Sequence, residues 1–76
     1  MEFNIIKETC IEYCENMYAL GSNFLKSNSK LELVNILNKI DDIEDKVRKC
    51  NDVNRLFDYK KMLELIMNRL EGIINA

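Results

Sequence analysis

Ser27-Asn28-Ser29-Lys30-Leu31-Glu32-Leu33 is the stretch on which the fold turns. Small polar residues break an apolar spacing that is helical on both sides of them. Ser29 is followed three residues later by Glu32, the form of a capping box, in which each side chain accepts from the other's backbone N–H. The pattern predicts that one helix ends near Ser27 and the next starts near Lys30. The chain then doubles back, because loop-type residues at 27–29 disfavour the rival reading, an elongated coiled coil.

Upstream, Phe3, Ile6, Cys10, Tyr13, Met17, Leu20 and Phe24 recur at steps of three and four, one stripe of a helix. Ile11, Cys14, Tyr18 and Leu25 widen that stripe, so helix 1, about 3–27, should touch two neighbours. Gly21 lies inside it, where glycine costs about 1 kcal/mol against alanine. A close approach by another segment is one reason for it to be there. Downstream, Leu33, Ile36, Leu37, Ile40, Ile43, Val47 and Cys50 share a face of helix 2, about 30–50. Asp41, Asp42, Glu44, Asp45, Lys46, Arg48 and Lys49 lie mostly off that face with closely alternating signs, as on a solvated surface.

Asn51 and Asp52 are good cap residues and favour a turn there. Asp58 is the alternative, although Lys60 and Lys61 would then oppose the positive end of the helix. Helix 3, about 52–74, carries Leu56, Tyr59, Leu63, Ile66, Met67, Leu70, Ile73 and Ile74 on its main stripe. Residues 1–76 are thus expected to form a single all-α domain, a three-helix up-down-up bundle. Phe57, Met62 and Leu65 lie off the stripe and, if exposed, form an apolar patch suited to self-association.

Size supports that expectation. A core within 76 residues rarely supplies more than roughly 3–5 kcal/mol unaided. Disulfides, a metal or a second chain can supplement it. Three Cys at irregular spacing are not a disulfide framework, and there is no His. Cys10 and Cys14 sit one helical turn apart. A zinc site needs about four N or S ligands and only Cys50 remains, while a disulfide within one continuous helix is geometrically poor. They read as small buried apolar residues. Association, as a homodimer or a hetero-oligomer, is left as the favoured supplement.

The opening Met1-Glu2-Phe3-Asn4 lacks the basic region of a secretory signal, and no apolar run suits a bilayer. The expectation is a reducing cytoplasmic setting and no membrane role. Formal net charge is −2 at pH 7, which gives nucleic-acid binding no electrostatic footing. Residues 1–28 hold Glu2, Glu8, Glu12 and Glu15 against Lys7 and Lys26, while nine acids and nine bases cancel from Ser29 onward. The negative balance therefore sits on helix 1, which a cationic or phosphate-holding surface would attract most. A merely solvated face is the plain alternative.

The enzyme classes find little support. Without His, a hydrolytic triad lacks its usual base. No Gly-rich phosphate loop exists, and no carboxylate lies on an apolar face where burial would tune it for acid–base work. Neither a catalytic residue nor a cofactor is expected. Tyr13, Tyr18 and Tyr59 read as core or boundary aromatics.

Ser29-Lys30-Leu31-Glu32-Leu33-Val34-Asn35-Ile36-Leu37-Asn38 and Val53-Asn54-Arg55-Leu56-Phe57-Asp58-Tyr59 resemble the epsilon antitoxins of Gram-positive epsilon/zeta toxin–antitoxin systems. Phe3-Asn4-Ile5-Ile6-Lys7-Glu8 is also similar. The segment 39–52 looks longer than in that family, Arg55 is an extra residue and the tail is shorter. The resemblance implies a three-helix bundle that neutralises a cognate kinase toxin by laying its first helix over the kinase's nucleotide site. It would place Phe3, Lys7, Glu8, Glu12 and Glu15 against the toxin. Two other readings compete: a different helical inhibitor, phage-encoded or bacteriocin-immunity-like, and a structural protein that binds only itself.

Overall fold

The computed structural model describes residues 2–76. The chain forms three helices, α1 (Glu2–Ser27), α2 (Leu31–Lys49) and α3 (Val53–Ile74), and no strand among the described residues. At about 1.5 Å per residue, the length of α1 alone accounts for the long axis of the molecule, which measures 40 Å against 17 and 15 Å across. Each helix packs on both others, as the broad stripe of α1 requires.

The core is wholly apolar. Cys10, Cys14, Met17 and Gly21 come from α1. Leu33, Ile36, Leu37, Ile40, Ile43 and Val47 come from α2, and Leu56, Leu63 and Leu70 from α3. Both cysteines of α1 are free and buried, in keeping with their reading as packing residues. Burying a leucine fully is worth about 1.5–3 kcal/mol, so the α3 leucines at seven-residue spacing carry much of that helix's attachment.

Two details of the sequence reading change. Leu20, expected on the α1 stripe, is 40% exposed. Gly21 takes the central position instead. A Cβ built there would lie 2.8 Å from Leu37 Cδ2 and 3.7 Å from Leu70 Cδ1. The tip of the Leu37 side chain fills the space a Cβ would take, with Leu70 in ordinary contact beyond it, and this is the close approach its position suggested.

The second change is the cap of α2. Lys30, not Ser29, occupies the cap position, with extended backbone and no side-chain hydrogen bond. The capping box does not form. Glu32 stands one residue too early in the helix, and its carboxylate instead meets Arg69 of α3, 3.2 Å away. At the other junction the turn falls at residues 50–52 and not near Asp58. Asp52 caps α3 by accepting from the Asn54 N–H at 2.9 Å. Asp52→Ala is therefore expected to cost about 0.5–2 kcal/mol in a urea melt, with Ser29→Ala close to neutral. The reverse ranking would show that the caps are misassigned.

Among the described residues, no helix is long and apolar enough to cross a membrane.

Candidate protein-binding face

Glu8, Glu12 and Glu15 follow at steps of four and three, so at roughly 100° per residue they fall within an arc of about 60°. All three are exposed, turned away from the face that holds Cys10, Cys14 and Met17. Glu8 and Glu12 have no ion-pair partner among the described residues. Glu15 is 3.5 Å from Arg48, but that guanidinium is held more closely by Glu44 at 2.8 Å. An exposed, shared pair of this kind is worth little, and it leaves most of the Glu15 charge available.

Phe3 and Lys7 are placed differently. Phe3 is half-buried against the core. The Lys7 ammonium lies 5.8 Å from the centre of the Phe3 ring and donates to the Cys50 carbonyl at 3.0 Å. The last carbonyls of a helix lack partners within it, and a cation is favoured beside them. Lys7 thus ties α1 to the end of α2, and its charge faces inward. Of the five α1 positions, three form the open acidic stripe and two fasten the helix.

The stripe continues across the seam with α2. Glu15, Tyr18 and Ala19 line a shallow groove with Asp41 and Glu44. Tyr18 is 41% exposed, an aromatic with a polar tip of the sort enriched at interfaces. Asp41 is exposed and, like Glu8 and Glu12, has no ion-pair partner among the described residues. Sequence reading grouped Asp41 with the balanced charges of α2. Its neighbours do balance: Asp42 meets Lys46 at 3.3 Å and Asp45 meets Lys49 at 3.1 Å. Asp41 has no base one turn away on either side: Asp45 at i+4 is acidic and Leu37 at i−4 is neutral. That spacing was the available signal.

Phe57, Met62 and Leu65 are 46%, 47% and 69% exposed, yet they do not make one patch. Phe57 and Met62 are five residues apart, about 140° around the helix. Met62 and Leu65 line a groove over α2 and α3 with Ile36, Ile43 and Ile66, flanked by Lys39 and Arg69. Phe57 lies outside it.

The buried thiols respond to their surroundings. Loss of solvent, then the Glu44 charge, pushes the Cys14 thiol up to about 12. Burial also raises Cys10, with Lys60 pulling the other way. Among the described residues no cluster of three or more His, Cys, Asp or Glu is arranged to hold a metal.

No family model, curated protein or solved structure matches this chain.

Proposed function

We propose that this chain is a non-enzymatic protein-binding protein and that α1 is its partner-binding element. The observation that carries this reading is the open acidic stripe: Glu8 and Glu12 are exposed and unpaired among the described residues, on the segment that holds all of the chain's net negative charge. Surface acids elsewhere on α2 are largely matched by a base one turn away. A stripe left unmatched on one helix suits a cationic partner surface, and such charge acts mainly on the rate of encounter.

The particular form we propose follows the epsilon antitoxin resemblance: a cytoplasmic inhibitor that occludes the nucleotide site of a kinase toxin with α1. Acidic residues suit a site whose own charges are arranged to hold phosphates. We also propose the up-down-up order of the helices. Lys7 of α1 reaching Cys50 beyond α2, with Gly21 of α1 meeting Leu37 of α2, supports opposed directions for that pair. Self-association belongs to the same proposal and rests on exposed Met62 and Leu65.

The test is a triple variant, Glu8→Lys, Glu12→Lys and Glu15→Lys, against the partner purified from the native host with the tagged wild-type chain. Association is expected to slow by about 10- to 1,000-fold at low salt. The difference should shrink at 1 M salt, where the Debye length falls to about 3 Å. Folding stability should change by less than about 0.5 kcal/mol per site. Wild-type association at low salt by the triple variant would refute the role of α1. If the partner is a kinase, the wild-type chain should block nucleotide binding; a complex that binds nucleotide normally would refute occlusion.

A further inference from the structure

We propose that α3 is the dimer-forming helix and that two copies pack through it antiparallel, with Met62 of one against Leu65 of the other and Asp58 of one paired with Arg69 of the other. The inference deepens the self-association proposed above and rests on it. The four residues follow at steps of four, three and four, so at roughly 100° per residue they share an arc of about 60°. Met62 and Leu65 are exposed, while Asp58 is exposed and unpaired among the described residues.

The order along the stripe is acid, apolar, apolar, base. Reversing a second copy and laying it alongside sets each acid opposite a base and each apolar residue opposite the other. A two-fold interface must be self-complementary in this way. Parallel packing would instead set Asp58 against Asp58 and Arg69 against Arg69. The register also matches the length of the helix. Met62 and Leu65 are equidistant from the midpoint of α3, which runs Val53–Ile74. Asp58 and Arg69 are equidistant from the same midpoint, so the two helices overlap from end to end. Arg69 keeps donors to spare while it holds Glu32, because a guanidinium has five N–H groups. Phe57 takes no part.

A contact between two helices alone lies near the small end of specific interfaces, about 1,200 Å², so the dimer should dissociate on dilution. The experiment is sedimentation equilibrium of the intact chain over a wide concentration range, with four proteins: wild type, Asp58→Arg, Arg69→Asp and the double variant. All changed positions are exposed; Arg69→Asp also removes the exposed Glu32 pair, worth little by itself, and circular dichroism and a urea melt on each variant check that the fold is kept. Each single reversal sets like charges together twice and should weaken the dimer about tenfold or more. The double variant restores the opposite pairing in the same register and should recover most of that loss. A wild-type chain that stays monomeric at the highest concentration overturns both the register and self-association. A wild-type dimer that neither single reversal weakens, or that the double variant does not restore, overturns the register and leaves self-association standing.

Discussion

Leu63→Ala is expected to lower the stability of the chain by about 2–5 kcal/mol, the range for a buried leucine cut back to alanine. Leu63 is 0% exposed and lies at the centre of α3, between Leu56 and Leu70, which are equally buried. The substitution removes the transfer energy of the lost carbons and leaves a cavity that rigid neighbours close only in part. The loss is large on the scale of the whole molecule, because folded domains have about 0.05–0.15 kcal/mol of stability per residue. A urea melt followed by circular dichroism measures it, with the midpoint falling and the slope unchanged. Leu31→Ala, at a site 77% exposed, is the control and should change stability by less than about 0.5 kcal/mol. A loss at Leu63 no larger than at Leu31 would mean that α3 does not pack as described.

Cys14 is expected to resist alkylation by a thousandfold or more. Its thiol is 0% exposed and is pushed up to about 12 from 9.0. Since the thiolate is the nucleophile, the shift alone lowers the reactive fraction at pH 8 by roughly a thousandfold, and burial adds a steric barrier. Iodoacetamide labelling read by mass spectrometry should therefore modify Cys50, 8% exposed, before Cys14. Urea should abolish the difference. Rapid labelling of Cys14 in native buffer would contradict its place in the core.

The same shift sets a dependence on pH. The folded chain favours the protonated thiol, so its contribution is complete below the unfolded value near 9.0 and is lost as pH rises towards about 12. On account of this group, stability falls by about 1.4 kcal/mol per pH unit across that window. A Cys14→Ala variant should show a flatter decline there.

The helices were legible because apolar residues at steps of three and four leave few alternatives in a chain with no proline. The turn at residues 50–52 was legible for a local reason, since Asp52 needs only the Asn54 N–H two residues on. The cap at Ser29 failed because the helix starts one residue later, with Lys30 at the cap position and Glu32 second in the helix instead of third. Glu32 meets Arg69, far away in sequence, and spacing along a helix does not report such a contact. The candidate face divides along the same line. Counting charges located the acid excess on helix 1, and the period grouped Glu8, Glu12 and Glu15. Nothing local indicated that Lys7 reaches across to the Cys50 carbonyl, or that Phe57 sits apart from the Met62 groove.

The vacancy at Gly21 constrains how this sequence can drift. The tip of the Leu37 side chain occupies the place of a first side-chain carbon at 21, and Leu70 lies in ordinary contact beyond it. Alanine at position 21 needs only a shift of the Leu37 side-chain tip, whereas a longer side chain must displace both leucines, so the position tolerates one added carbon far better than several. In a library randomised at position 21, folded clones should be enriched in glycine and alanine over larger residues.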